Sequence, residues 1–167
     1  MTAISIPAKS ALRTALITVP IILGIGFLSG QVSNSGYGNV WFDTLVKPDA
    51  MPPGWAFGAA WSVLYVLLGV VLAIVLSAPP TRTRSEVLVL FLLQLALNFC
   101  WSPIFFGAHL IELGLVTILA IAVLTLGAMP GIGKLSRPSA WLMIPYLAWL
   151  SFAAYLNFEI GRLNPAA

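Results

Sequence analysis

The chain has 167 residues, of which 60% are hydrophobic and only 8% are charged, and its formal net charge is +3. Soluble domains carry about 25% charged residues, so this composition excludes an ordinary soluble protein and indicates a single integral membrane domain over residues 1–167. The basic residues are scattered near the ends of apolar runs and form no stripe, which argues against nucleic acid as a partner.

The first predicted span covers residues 13–33. Lys9 and Arg13 precede its apolar run, a pattern that a signal peptide and a first transmembrane helix share. The run shows no convincing small-x-small cleavage site followed by a soluble domain, so we expect a retained helix. Gly26 and Gly30 form a GxxxG pair, which permits another helix to approach closely.

A polar segment, residues 34–53, follows the first span. Trp41 within it and Trp55 just after it are costly to leave in water, and prolines lower the entropy of the unfolded segment. We therefore predict a cap over one mouth of the bundle. An aromatic belt at the membrane interface explains the two tryptophans equally well. The prolines of the cap are Pro48, Pro52 and Pro53.

The second predicted span, residues 54–77, places two aromatic residues on one face. Pro53 precedes it, where a missing N–H costs nothing. Trp61 and Tyr65 are four residues apart and therefore project from the same side of a helix. Gly54 and Gly58 offer a further close-approach pair.

The third predicted span, residues 86–106, carries amides inside an apolar run, and Ser85 is a candidate N-cap. Gln94, Asn98 and Trp101 share nearly one face. Amides in hydrocarbon are costly unless they are hydrogen-bonded, so this face should point into the bundle, either to join helices or to meet a ligand. A proline, Pro103, is expected to kink or end the helix.

The last two predicted spans are residues 110–129 and 138–161, joined by a turn over 130–141. Glu112 lies in the first turn of the fourth span, where a carboxylate suits the helix dipole. Pro145 should kink the fifth span. Two further residues of the fifth span matter for the interior: Trp149, one turn beyond that proline, and the amide of Asn157.

These residues permit two interpretations, plain packing of the bundle or a ligand pocket. A pocket with aromatic walls and one amide would suit a flat, hydrophobic molecule. The predicted lining is Trp61, Tyr65, Asn98, Trp101, Tyr146 and Trp149, closed by Trp41 and Trp55. No catalytic pair, phosphate loop or metal-ligand cluster appears, so we predict no catalytic residues, metal or cofactor; His109 stands alone.

Basic residues also predict an orientation. With five spans, six basic residues lie on the amino-terminal side and two, Lys47 and Arg162, on the other. The positive-inside rule then puts the amino terminus in the cytoplasm and the cap outside.

Four segments in register resemble the TspO/MBR family, also called translocator protein, peripheral-type benzodiazepine receptor or tryptophan-rich sensory protein. They are WFDTLVKP with PPGW (41–55), WSVLY (61–65), QLALNFCWSPIFFGA (94–108) and PYLAWLSFAAYLNF (145–158). The resemblance implies an all-α bundle of five transmembrane helices, usually a homodimer. It also implies binding of porphyrins such as protoporphyrin IX and haem, in tetrapyrrole sensing, transport or stress regulation.

The resemblance assigns roles to individual positions. Trp61, Asn98 and Trp149 match residues that line the family's pocket. Its covering loop is matched by Trp41, Pro48, Pro52, Pro53 and Trp55, and Ala148, Ser151 and Phe152 fall where the fifth helix meets ligand. Three positions depart from the family pattern. Ala50 replaces a tryptophan, Phe42 replaces a frequent tyrosine, and Phe158 stands where a sterol motif would need tyrosine.

Two alternative functions stay open from the sequence. One is an enzyme that degrades porphyrin in light and oxygen through tryptophan redox chemistry; the other is a structural membrane subunit without a small ligand. The ending LNFEIGRLNP resembles bacterial members, so a bacterial inner membrane is expected. For a homodimer, Ala96 and Cys100 offer a small-xxx-small approach on the third span.

Overall fold

The computed structural model describes residues 7–165, and the remaining residues of the predicted domain, 1–6 and 166–167, lie outside that part. The described residues are 82% helical and contain no strand. Among them, five helices are long and apolar enough to cross a membrane, which confirms the predicted fold class. They are Ala8–Val32, Gly54–Ser77, Arg82–Gly107, Ile111–Leu135 and Arg137–Leu163.

Seven α-helices build these spans and the cap. They are α1 (Ala8–Val32), α2 (Val40–Thr44), α3 (Gly54–Ser77), α4 (Arg82–Ser102), α5 (Ile111–Leu135), α6 (Arg137–Leu142) and α7 (Ile144–Leu163). The short helix α2 lies in the segment that was predicted as a loop. It begins because the Asn39 side chain accepts a hydrogen bond of 3.0 Å from the Phe42 amide, which satisfies one free donor of the first turn.

The third span starts earlier than predicted and ends in a different way. Thr81, and not Ser85, is the N-cap of α4, because its hydroxyl accepts the Arg84 amide at 3.2 Å. At the other end, Pro103 removes a donor, and a π-helical turn, Pro103–Gly107, continues the span. The Ala108 amide donates to the Pro103 carbonyl at 2.8 Å, which closes this wider turn.

The fourth span is longer than predicted, since α5 runs through Pro130 to Leu135 where a turn was expected. A proline costs one hydrogen bond of the helix, but packing favours continuation. Gly131 approaches the Val87 side chain of α4, and Ile132 is fully buried. Tertiary packing therefore overrides the local signal at the proline.

The fifth span is two helices and not one kinked helix. The interruption falls at Met143, whose amide donates to the Ala140 carbonyl at 3.1 Å. Pro145 lies in the first turn of α7, where its missing N–H leaves no intrahelical bond unmade. The break thus precedes the proline by two residues.

Helix α1 packs mainly on α3, α4 on α5, and α5 on α7. Helix α1 approaches α3 closely at Gly69, where the Thr18 hydroxyl donates to the Gly69 carbonyl at 2.7 Å. The GxxxG glycines differ: a Cβ at Gly30 would meet no atom closer than Ser35 Oγ at 4.0 Å, whereas a Cβ at Gly26 would collide with the ring of Tyr65. On the outer face of α4, Ala96 and Cys100 are exposed, and a dimer contact there stays a prediction.

We predict that Gly69→Ala loosens α1 from α3. A Cβ at this position would lie 2.7 Å from the Cα of Val19, and such overpacking costs about 1–3 kcal/mol. Thermal unfolding of the purified protein in detergent, followed by circular dichroism, should show a midpoint several degrees lower. The matched control is Gly24→Ala in α1, which meets nothing within 4 Å and should leave the midpoint equal or slightly higher. Equal midpoints for the two variants would contradict this packing.

Candidate functional site: an aromatic cavity under the cap

A cavity of about 800 Å³, partly open to the outside along α1, lies between α1, α3, α4 and α7, with the cap at one end. Helix α5 and the π-helical turn complete its wall through Ile118, Ile121, Phe105 and Phe106. Five of the residues that the sequence predicted for the pocket line this cavity. They are Trp61, Tyr65, Asn98, Trp101 and Trp149.

The aromatic wall consists of two sets of contacting rings. Trp61 lies 5.2 Å from Tyr65 and 6.3 Å from Trp149, measured between ring centroids, and the second pair meets edge to face. On the other side, Trp101 and Phe105 stack with centroids 5.1 Å apart and planes 17° from parallel. These geometries are the favoured ones for aromatic pairs, so the rings hold one another in place.

A chain of hydrogen bonds joins three helices behind the wall. The Tyr65 hydroxyl of α3 donates to Asn98 Oδ1 at 3.0 Å, and Asn98 Nδ2 donates to the Tyr146 hydroxyl of α7 at 3.0 Å. Tyr146 in turn donates to Gln94 Oε1 at 2.8 Å. Gln94 and Tyr146 are fully buried and lie outside the cavity lining. The predicted inward face of α4 is therefore used to hold α3 and α7.

Several buried side-chain polar atoms have no hydrogen-bond partner among the described residues. The Nε2 donor of Gln94 is one of them, and the indole N–H groups of Trp101 and Trp149 are two more. Asn157 donates to the Ile111 carbonyl at 2.8 Å, but its own Oδ1 is unpaired. Unpaired buried polar groups are uncommon and costly, so the interior retains unused hydrogen-bonding capacity around the cavity.

Two contacts join the cap to the segments that follow α4 and α7. Trp41 stacks on His109 with ring centroids 4.3 Å apart, which joins α2 to the turn before α5. Asn164, just after α7, accepts the Val46 amide and donates to the Val46 carbonyl, both at 2.9 Å. Side chains of the cap segment then reach the cavity at Tyr37, Phe42 and Met51.

Lys47, the one basic residue in the cap, is already engaged. Its ammonium donates to the carbonyls of Phe42 and Leu45 at 2.8 and 3.2 Å and lies 4.6 Å from the centre of the Phe42 ring. The lining includes no charged side chain among the described residues. Polar residues at the cap end, such as Gln31, Asn34 and Ser35, provide neutral hydrogen-bonding groups instead.

Five predicted site residues do not line the cavity. Trp55 is 76% exposed, so it does not close the pocket from above. Trp41 holds the cap through His109, and Tyr146 lies behind the wall in the hydrogen-bond chain. Ala148 and Phe152 line a separate apolar groove on the outer surface between α3 and α7. Their predicted part in ligand binding stays a prediction.

The outer groove touches the same indole that walls the cavity. Its α3 side consists of Ala59, Ala60, Val63 and Leu64, and its α7 side of Pro145, Ala148, Trp149 and Phe152. Trp149 alone belongs to both the groove and the cavity lining. The Trp149 side chain therefore lies between the cavity and the outer groove.

The cap prolines support the segment without forming the wall. Pro48 is buried, and the Pro52 carbonyl accepts the Tyr37 hydroxyl at 3.2 Å. Pro53 precedes α3 as predicted, with extended backbone (φ −63°, ψ 150°). These contacts fit the predicted capping segment, with Tyr37 as the ring that connects it to the cavity.

Part of the lining was not predicted from the sequence. Helix α1 contributes a wall with little side chain, including Gly24, Gly26 and Gly30, and α3 contributes Phe57. The glycine spacing was the available signal, but it was interpreted as a helix contact. No group of three potential metal ligands occurs within residues 7–165.

Comparison with known families supports the similarity found in the sequence motifs. The model of the TspO/MBR family matches residues 16–163. The chain belongs to the TspO/MBR family. The match extends from the first span to the end of α7, so it includes every helix that contributes to the cavity.

Relatives from distant organisms cover most of the chain. The tryptophan-rich protein TspO of Chlorobaculum tepidum is 37% identical over 153 residues, which is 91% of this chain and 96% of that protein. The human translocator protein is 35% identical over 142 residues, or 84% of each chain. The tryptophan-rich sensory protein of Cereibacter sphaeroides is 33% identical over 124 residues, covering 74% and 77%.

In this TspO/MBR protein, the positions that depart from the family pattern lie in different environments. Ala50 is exposed on the cap, so the missing tryptophan leaves no gap in the core. Phe42 lines the cavity and packs edge to face on Phe106 at 5.1 Å, where a hydroxyl is not needed. Phe158 is 55% exposed on the outer surface of α7.

We predict that Asn164→Ala loosens the cap near α2. The variant loses both hydrogen bonds to Val46, each worth about 0.5–1.5 kcal/mol, so the Val46 amide should exchange with deuterium roughly tenfold faster. Asn164→Asp keeps the acceptor for that amide and loses only the donor, so its exchange should be intermediate. Hydrogen exchange read by mass spectrometry is the measurement. Unchanged exchange in Asn164→Ala would show that the cap is held without this contact.

Proposed function

We propose that this membrane protein binds a porphyrin, such as protoporphyrin IX or haem, in the aromatic cavity and acts in tetrapyrrole sensing, transport or stress regulation. One observation carries the proposal. The cavity of about 800 Å³ is walled by the rings of Trp61, Trp101 and Trp149 and lies beneath a cap. Its volume falls in the range of about 300–1,000 Å³ that is typical of small-molecule sites.

The chemistry of the wall suits a flat, largely apolar macrocycle. Indole and phenyl rings stack on other ring systems, and they bury a large apolar area. The absence of charged side chains from the described lining favours placing a macrocycle inside and its carboxylates near the polar cap end. There, Gln31, Asn34 and Ser35 offer amide and hydroxyl donors.

We predict that replacing both Trp61 and Trp149 with Phe weakens protoporphyrin IX binding about tenfold or more, because each indole loses stacking area worth about 0.5–1.5 kcal/mol. The shift of the porphyrin absorbance band on titration in detergent measures the affinity without using tryptophan fluorescence. The matched control is Trp55→Phe, whose exposed ring does not line the cavity, and its affinity should not change. Equal affinities of the double variant and the wild type would refute this site.

A second candidate function is porphyrin degradation driven by light and oxygen. The observation that favours it is the pair Trp61 and Trp149, two indoles in edge contact that both line the cavity, where an excited porphyrin has an electron donor next to it. The same titration samples, divided between light and dark and between air and nitrogen, separate the two functions. Bleaching that requires light, oxygen and both tryptophans favours degradation, and a stable bound porphyrin favours binding alone.

For localisation, we propose a bacterial plasma membrane with the amino terminus in the cytoplasm. The start of α1 meets the end of α3 through Ser10 and Ser77, whose hydroxyl oxygens are 3.5 Å apart, and Arg84 donates to the Val75 carbonyl at 3.2 Å. That end carries most of the basic residues, as the positive-inside rule expects of a cytoplasmic face. They are Lys9, Arg13, Arg82, Arg84, Lys134 and Arg137.

We predict the orientation from cysteine labelling in a Cys100→Ser background. Thr44→Cys in α2 and Pro80→Cys in the turn before α4 introduce exposed thiols at opposite ends of the bundle. A membrane-impermeant maleimide added to intact cells should label the first variant, and the second only after permeabilisation. Preferential labelling of Pro80→Cys in intact cells would reverse the proposed orientation.

A further inference from the structure

The hydrogen-bond chain behind the cavity ends on an unsatisfied group. Every bond in it runs in one direction, from the Tyr65 hydroxyl through Asn98 and Tyr146 to Gln94 Oε1. The Nε2 donor of Gln94, at the far end, is buried without a partner. At the near end, Tyr65 and Asn98 line the cavity, and the single proton of the Tyr65 hydroxyl is already used.

Each member of this chain can donate or accept. A hydroxyl does both, and a carboxamide carries its oxygen and its nitrogen on two arms of nearly the same shape. A half-turn of the amide groups of Gln94 and Asn98 therefore reverses the whole chain. Gln94 Nε2 then donates to Tyr146, Tyr146 donates to Asn98 Oδ1, and Asn98 Nδ2 donates to Tyr65.

The two directions differ at the ends of the chain. Both contain the same number of internal bonds, but the reversed chain pairs the Gln94 nitrogen in place of the Gln94 oxygen and releases the Tyr65 proton to the cavity. The observed direction gives that proton an acceptor within the chain, Asn98 Oδ1, and is therefore favoured when nothing in the cavity accepts it. A guest that presents an acceptor adds one hydrogen bond to the reversed direction only.

We propose that the chain reverses when the cavity takes a flat ligand with a hydrogen-bond acceptor, such as a carbonyl oxygen, so that the Tyr65 hydroxyl donates to the ligand. The inference rests on the proposed function, since it requires a guest in the cavity. It makes Tyr65 a specificity-determining contact. Tyr146 and Gln94, which do not line the cavity, become positioning residues that act through Asn98.

The test uses two rigid tricyclic probes of nearly the same shape, 9-fluorenone and fluorene, of which only the first carries a carbonyl. Affinities are measured in one detergent and corrected for the partition of each probe into it. Wild type should prefer the ketone about three- to tenfold, as expected for one hydrogen bond. Tyr65→Phe should abolish this preference. The control Tyr155→Phe changes an exposed tyrosine of α7 outside the lining and should retain it.

Reversal is separated from a purely local contact by Gln94→Leu, which removes the acceptor at the far end of the chain without changing the cavity wall. Tyr146 then finds an acceptor only in the reversed direction, so the ketone preference should rise above that of wild type; if Tyr65 acts alone, the preference should stay at the wild-type value and the proposal fails. Infrared spectra of carbonyl-labelled fluorenone give a second measurement. The carbonyl stretch should be lower in wild type, Tyr155→Phe and Gln94→Leu than in Tyr65→Phe.

Failure of the inference is distinguishable from failure of the proposed function. Protoporphyrin IX is titrated into the same preparations. Porphyrin binding without ketone preference, or with the same carbonyl frequency in wild type and Tyr65→Phe, overturns the reversal and leaves the proposed function standing. Ketone preference without porphyrin binding supports the reversal and overturns the proposed ligand. Binding of neither tricyclic probe overturns the reversal.

Discussion

A polar group inside hydrocarbon must find its hydrogen-bond partner within the protein, and this requirement organises the interior of the bundle. Gln94 and Asn98 of α4 meet Tyr146 of α7 and Tyr65 of α3 in one chain of bonds between 2.8 and 3.0 Å. Because each partner comes from a different span, the chain determines how the three helices stand around the cavity. The helices that carry the aromatic wall therefore hold fixed positions relative to one another.

The spans themselves were predictable because hydrocarbon thickness and the helical rise set their length. Their ends were less predictable, because they depend on single contacts. Thr81 and Ser85 are both chemically able to cap α4, and only the bond from the Arg84 amide selects the first. Pro130 is a local signal for a turn, yet α5 continues because Ile132 and Leu135 pack into the core beyond it.

The position of a side chain relative to the cavity could be predicted where helical spacing sets its direction. Trp61 and Tyr65 on one turn, and Asn98 with Trp101 on another, all reach the cavity. The position of Ala148 and Phe152 could not, since they line the outer groove, and their part in ligand binding stays a prediction. In a soluble protein a hydrophobic face points inward, but in a membrane both the interior and the lipid side are apolar, so composition does not distinguish them. The contribution of α1 to the cavity wall was not predicted, because glycines form its part of the wall.

At Trp149, a single indole ring lies between the cavity and the outer groove. On one side the indole borders the chamber under the cap, and on the other it borders the groove between α3 and α7, where small residues such as Ala60 and Ala148 leave room against the acyl chains. Its N–H is not anchored by any hydrogen bond, so rotation of the ring breaks none. Ring contacts with Phe57, Trp61 and Phe152 hold this side chain between the groove and the cavity, so the packing of lipid around the protein becomes part of what defines the shape of the space inside.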